Sequence, residues 1–248
     1  MNKKEYQPIK GQICLDMNTD KQNYVVQANE LISGKQNLKL NSAKILRTLI
    51  MQITPQDDEF KSYCISIPKL SELLGISADN LYRDMDDITD DILSNPVSIR
   101  DHENGKFMKI PWVAVCAYEK GTGFVAKMNP LLKPFLLNLQ EKYTQYQLDS
   151  ILAMKSVYAI RIFELIMKES IIKYIPKDGT SILLTIQEIR EACSCEDKYE
   201  RISNFKEKVL DVAVREIERT TTYTLSYDCV KSGRNIYAVR FYINMFYH

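Results

Sequence analysis

The sequence predicts an α+β fold in which one module, a helix-turn-helix followed by a β-hairpin, occurs twice in tandem. Three observations carry this. A short helix, a tight turn and a longer helix are legible at 68–93 and again at 186–217. Each is followed by strand-like segments around a glycine-bearing turn, at 119–123 and at 231–235. The length of 248 residues allows two domains, each with its own core.

The first twenty or so residues are polar and read as a mobile lead-in, 1–22. An apolar stretch of open type follows at 24–32. Asn41 or Ser42 can cap a helix whose apolar positions Ile45, Leu46, Leu49, Ile50 and Ile53 recur at helical spacing, with Pro55 as its stop. A strand is expected at 63–67. Pro68 in a first turn and Gly75 past the end mark the first short helix. Ser77 then opens a longer helix with Leu81, Met85, Ile88 and Ile92 inward. Strands are expected at 97–100, 108–118 and 124–128, and a helix packed on the first module begins at 131 and runs into the link that reaches 148. The module boundary is placed near Tyr143, giving 23–142 and 143–248.

The second half repeats the order. An amphipathic helix spans 155–172, a strand 181–185 and a short helix 186–193. Asn204 begins a long helix, with Glu207 three residues on as a capping box and Phe205, Val209, Val212, Ala213 and Ile217 on one face. Strands at 223–230 and 236–243 close the module. The two short helices share a pattern, Ile67, Leu70, Leu74 beside Ile186, Ile189, Cys193. A helix-turn-helix with a hairpin wing is a winged helix, so two tandem winged-helix domains are expected.

Composition narrows the class. Hydrophobic residues at 45% and charged residues at 26% are those of a folded soluble chain. No apolar run approaches the ~20 residues of a membrane span, and the polar start lacks the apolar segment of a secretion signal. A cytoplasmic protein without a membrane partner is expected. Cys14, Cys64, Cys116, Cys193, Cys195 and Cys229 are scattered, and the histidines are His102 and His248 alone. No disulfide framework, metal site or other cofactor is predicted from those spacings.

The net charge is only +1, so a case for nucleic acid depends on where the charges sit. A helix-turn-helix reads sequence with its second helix in the major groove. In the first module that helix carries Asp79, Asp84, Asp86, Asp87, Asp90 and Asp91 against Arg83, a surface phosphates would repel. In the second, Asn204, Lys208, Asp211 and Arg215 lie opposite the apolar face, with Lys206 at the flank. Lys198, Tyr199 and Arg201 lie just upstream, and Lys231 and Arg234 sit at the wing tip. Such groups neutralise phosphates, and Asn and Arg also pair with adenine and guanine edges. Any one of them is equally well explained as a solubilising residue; the set at one helix and one wing favours DNA. Lys35, Lys39, Lys44, Lys106, Lys109 and Lys120 give the first module candidate phosphate contacts.

The chain resembles the iteron-binding, theta-type plasmid replication initiator (Rep) family, built from two winged helices. The residues that carry the resemblance are 26–32 (VQANELI), 135–148, Lys155-Ser156-Val157-Tyr158-Ala159 with Arg161, Glu164 and Leu165, the stretch 199–217 (YERISNFKEKVLDVAVREI), and Lys231, Gly233 and Arg234. The resemblance implies double-stranded DNA carrying origin repeats as partner. Asn204, Lys206, Lys208 and Arg215 would dock in the groove. Lys155, Ser156 and Tyr158 would touch the backbone near a helix N-terminus. It also implies a homodimer in equilibrium with monomer, a dimer repressing its own promoter, and contacts with a host replication initiator and helicase.

Other functions find less support. Rolling-circle nicking needs a tyrosine nucleophile and clustered histidines, and the two histidines are far apart. No phosphate-binding G-x-x-x-x-G-K-[ST] loop occurs. An enzyme is therefore not expected. A winged-helix transcriptional regulator remains the main alternative, and a protein-interaction module the third.

Overall fold

The computed structural model describes residues 14–54, 56–101, 104–119, 123–169 and 179–245. The first module begins with strand β1 (Cys14–Asp16), inside the stretch read as lead-in, and it pairs in parallel with β3. Then come β2 (Tyr24–Ala28), α1 (Asn29–Ser33), α2 (Leu40–Met51), β3 (Ser62–Ile65), α3 (Ile67–Leu74) and α4 (Ala78–Ser94). Strands β4 (Val97–Asp101), β5 (Lys106–Ile110), β6 (Val113–Glu119) and β7 (Gly123–Met128) follow, with a 3-10 turn (Pro130–Leu132), α5 (Lys133–Leu136) and β8 (Tyr143–Gln147).

Helix α2 is enclosed on all sides, from Ser42 to Met51. Buried polar groups there depend on partners inside the protein; Thr48 donates to the Lys44 carbonyl at 3.0 Å, whereas the Ser42 hydroxyl and Arg47 Nη1 have none among the described residues. The expected cap is not used. The helix starts behind Lys39, whose backbone N–H donates to Asp91 of α4 at 2.8 Å, and Ser42 is buried inside the helix. Pro55 lies outside the described residues. The helix-turn-helix behaves as its sequence dictates. Gly75 closes α3 with φ +67°, Ser77 accepts from the Asn80 N–H at 3.3 Å, and Leu81, Met85, Ile88 and Ile92 are buried.

Two sequence expectations fail here. The strand read at 108–118 is two strands, broken where Pro111 withholds a donor and Trp112 turns fully inward. β5 pairs with β4 in a separate hairpin, whereas β6 and β7 extend a four-stranded sheet in the order β1-β3-β7-β6. The helix expected to begin at 131 stops at Leu136, and β8 returns to pair antiparallel with β2.

In the second module α6 (Asp149–Leu152) and α7 (Val157–Glu169) precede β9 (Thr180–Thr185) and α8 (Ile186–Ala192). Positions 170–172 of the expected long helix lie outside the described residues. Then α9 (Ile202–Phe205), a π turn (Lys206–Leu210) and α10 (Asp211–Thr220) run as one helix. The hairpin β10 (Tyr223–Ser232) and β11 (Asn235–Met245) joins β9 in the order β10-β11-β9. The capping box expected at Asn204 is absent, since the helix starts earlier, behind Arg201. Thr185 and Glu188 form one at the start of α8 instead. One continuous hydrophobic cluster runs through both modules, with α7 packed against α1 and β8 on one side and α10 on the other.

Candidate nucleic-acid interface

The long helix of the second module owes its two faces to the π turn. Phe205, Val209, Leu210, Ala213 and Ile217 are buried, and Val212, expected among them, is only half-buried. A π turn is one residue inserted into an α-helix, so the apolar stripe shifts at 209–210 and Leu210 takes the inward place. The outer face survives the shift: Asn204, Lys208, Asp211 and Arg215 are all exposed. Lys208 pairs with its neighbour Glu207 at 2.7 Å, and that carboxylate raises its pKa. Both side chains are open to water, so the pair is easily exchanged for a phosphate. Lys206, half-buried, lies 5.9 Å from the centre of the Tyr227 ring on β10. Asp211 accepts from the Tyr227 hydroxyl at 2.6 Å; burial and then this acid raise the phenol's pKa. The helix is thereby tied to the hairpin.

The turn entering this helix is organised by a residue the sequence reading passed over. Arg190 of α8 donates to the carbonyls of Cys195 (3.1 Å), Lys198 (2.6 Å) and Tyr199 (2.8 Å). Its guanidinium also covers the Phe205 ring. Three carbonyls held by one planar fork fix the path of a loop whose Ser194 and Tyr199 have positive φ, 51° and 54°. The available signal was an arginine in the last turn of the short helix, ahead of a charged stretch, 196–201, in which Tyr199 is the one apolar residue. Within that loop Lys198 and Arg201 are exposed.

The start of α7 reaches the same place. Tyr158 lies edge-on to Tyr199, ring centres 6.1 Å apart. Burial first, then the neighbouring Tyr199 hydroxyl, raises the Tyr158 pKa. The Lys155 N–H donates to Glu216 of α10 at 2.7 Å while its side chain is exposed; Ser156 is half-buried. Lys155, Ser156, Tyr158, Lys198, Tyr199, Arg201 and the helix thus share one region of the module. Lys231 and Arg234 stand apart at the hairpin tip, exposed on either side of Gly233, whose φ is +61°. At ~3.3 Å per residue, Lys231 lies ~13 Å along β10 from Tyr227, the point where hairpin and helix touch.

The first module offers a different surface. Asp79, Asp86, Asp87 and Asp90 of α4 are exposed, whereas Asp91 is buried and structural, holding the Lys39 N–H and the Asn95 amide. Among the candidate phosphate contacts, Lys39, Lys106 and Lys109 are exposed. Lys35 is paired with Glu196 at 2.6 Å, and Lys120 lies outside the described residues. Lys44 is corrected outright. It is 5% exposed, and burial lowers its pKa to about 8 against the opposing pull of Glu216.

Among the described residues no group of three His, Cys, Asp or Glu side chains is placed to hold a metal, and no helix is long and apolar enough to cross a membrane. The region 24–167 matches the family model described as initiator replication protein, WH1, and 185–243 matches initiator Rep protein, WH2. A replication initiation protein of Escherichia coli is 22% identical over 214 residues, covering 85% of this chain; the chain spans 66% of that relative's length. Among solved structures, the Pi initiator protein in complex with iteron DNA is 17% identical and superposes with a TM-score of 0.75, covering 92% of this chain and 99% of that one. Two winged helices in tandem, in this order and over this span, make the chain a member of the initiator replication protein family.

Proposed function

We propose that this protein binds a specific double-stranded DNA site, the repeats of a plasmid origin, initiates replication there and represses its own promoter. The observation that carries the reading is the exposed row Asn204, Lys208 and Arg215 on the helix in the reading position of the second winged helix. Lys206, Lys198, Tyr199 and Arg201 flank it, Lys155, Ser156 and Tyr158 adjoin it, and Lys231 and Arg234 extend it to the neighbouring phosphates. The seam between modules falls near Tyr143, dividing 23–142 from 143–248, with β8 at the start of the second stretch reaching back to pair with β2 of the first. The first module serves dimerisation and auxiliary phosphate contacts. A homodimer in equilibrium with monomer, acting in the cytoplasm with a host initiator and helicase, completes the reading. No catalytic step is assigned; magnesium-dependent cleavage of origin DNA by clean protein, lost on changing one acidic residue, would overturn that.

The test is a titration onto labelled duplexes tiling the DNA beside the gene, at several salt concentrations, with shuffled duplexes as controls. Tight binding to a repeated element is expected. Lys208→Ala or Arg215→Ala should weaken it by ~1–3 kcal/mol where the side chain reads a base. If no tile exceeds its shuffled control tenfold, the reading fails.

A further inference from the structure

Where the two modules meet, their shared hydrophobic core encloses a charged cluster. Glu164 of α7 accepts from Arg47 of α2 twice, Nε at 3.0 Å and Nη2 at 2.9 Å. It also accepts from Arg161 Nη1, from the Tyr146 hydroxyl at 2.5 Å and from the Gln27 amide at 3.0 Å. Arg161 spends its remaining donors on backbone, reaching the carbonyls of Ile32, Gly34 (3.0 Å) and Ala192 (3.1 Å). The side chains of Arg47, Arg161 and Glu164 are 0%, 1% and 0% exposed. Arg47, Gln27, Ile32 and Gly34 lie on or beside α1, α2 and β2 of the first module; Arg161 and Glu164 lie on α7, at positions within the WH1 match, but α7 packs on α10 of the second module, and Ala192 ends α8.

Two positive charges and one negative charge in a dry site are a poor source of stability, because desolvation offsets most of their attraction. Burial alone would raise the Glu164 pKa, yet Arg47 and Arg161 hold it at about 2. What such a cluster does supply is a unique geometry. Apart from Arg47 Nη1 and Gln27 Oε1, which have no partner among the described residues, its donors and acceptors are paired at one relative placement of the modules, and sliding by an ångström or two strands a buried charge. At the margin, Lys35 with Glu196 (2.6 Å) and Lys168 with Ser33 (3.0 Å) cross the same seam.

We propose that Arg47, Arg161 and Glu164 are positioning residues that hold the two winged helices at one separation and so make the spacing between the DNA segments each module touches part of what is recognised. The proposal rests on the DNA-binding reading above. The second module carries the groups that can read bases, while the first exposes Lys39, Lys106 and Lys109, which suit phosphates. Phosphates recur at every step and carry no sequence information of their own. On a flexible joint the first module would find a phosphate at any nearby position. On a rigid one its contacts report distance.

Glu164→Gln leaves two guanidinium groups in a dry pocket without a counter-charge and is expected to cost folding. Arg47→Met is the informative variant, because the remaining Arg161–Glu164 pair on one helix is charge-balanced. Dyes carried on non-natural residues at the exposed positions Glu72 and Ser232 of the full chain report the separation of the modules. A single narrow distance is expected for the parent chain and a broad distribution for Arg47→Met. The companion measurement uses the duplex the parent chain protects from nuclease, intact, with two base pairs inserted between the segments covered by the two modules, and truncated to the second module's segment. The insertion should weaken parent binding at least tenfold and Arg47→Met binding less than threefold, with equal affinities on the truncated duplex. A narrow distance in Arg47→Met, or the full insertion penalty retained by it, overturns the proposal. Tight parent binding indifferent to the insertion overturns the spacing claim alone. A parent chain that binds no duplex overturns the DNA-binding reading and the spacing claim together, leaving the distance measurement to judge the clasp.

Discussion

The guanidinium of Arg190 lies 4.4 Å from the centre of the Phe205 ring, joining the short helix of the second module to the first turn of its long one. The same group ties down three carbonyls of the intervening loop. Lysine retains the charge but neither the flat stacking surface nor the fork. Arg190→Lys is therefore expected to lower affinity for the duplex bound by the parent chain about tenfold, ~1.4 kcal/mol, without changing which sequence is preferred. Fluorescence anisotropy on specific and shuffled duplexes measures both, and unchanged affinity would show that the loop holds its path without the fork.

The wing tip should act through charge alone. Lys231→Ala and Arg234→Ala are each expected to weaken binding alike on specific and shuffled duplexes. Each should also lower the slope of log affinity against log salt by about one. A substitution that instead changes the preferred sequence would move that residue from the phosphates to the base edges.

Glycine is required at two turns of the first module for different reasons. Gly75 has φ +67° and a methyl group there would meet open space, so Gly75→Ala should cost only the left-handed strain, ~1–2 kcal/mol. At Gly123, φ +113°, a Cβ would fall 2.1 Å from the Ile65 carbonyl oxygen, where β7 begins against the end of β3. Gly123→Ala should exceed ~4 kcal/mol and remove the cooperative unfolding of the first sheet. Denaturant midpoints of the two variants make the comparison, and equal midpoints would refute it.

Lys44 sits where burial disfavours its charge, at a pKa of about 8. The folded chain therefore holds that proton less tightly than the unfolded chain, whose lysine titrates near ~10.4. Below pH 8 both states are protonated and the penalty is present in full. Stability contributed by this site rises between about 8 and ~10.4, as the folded state alone is relieved of charge. Lys44→Met should raise Tm at pH 7 by ~2–4 °C, on the order of 1 kcal/mol, with the advantage fading as pH rises through that window. Thermal melts at pH 7 and pH 10 decide it; an equal gain at both would assign the effect to packing.

What was legible in the sequence follows from how local its cause is. The helix-turn-helix of the first module could be read because proline, glycine, serine and a helical apolar period act within a few residues of themselves. The hairpin turn at Gly233 is equally local. The exposed face of the long helix, Asn204, Lys208 and Arg215, and the inner Phe205, Val209, Ala213 and Ile217 were legible from periodicity, even though the start and the exchange of Val212 for Leu210 were not. The failures are long-range. The polar stretch at Tyr143–Gln147 becomes strand because β2 offers it an edge more than a hundred residues away. Lys44 reads as a surface lysine until folding buries it within the influence of Glu216 and Arg219, about 170 positions on. Arg47 and Glu164, 117 positions apart, reveal their pairing only once the two modules are docked.

The π turn at Lys206–Leu210 gives the reading helix an unequal tolerance to changes in length. Because that turn already accommodates one surplus residue, deleting a single residue within it lets the helix relax to regular α geometry with Phe205 and Ala213 still facing inward. A deletion in Asp211–Thr220, where no surplus exists, rotates everything beyond it by ~100° and drives Arg215 or Ile217 onto the wrong side. Variation in the number of residues along this helix is therefore confined by geometry to five positions, and those five lie between the polar groups at its start and those at its middle.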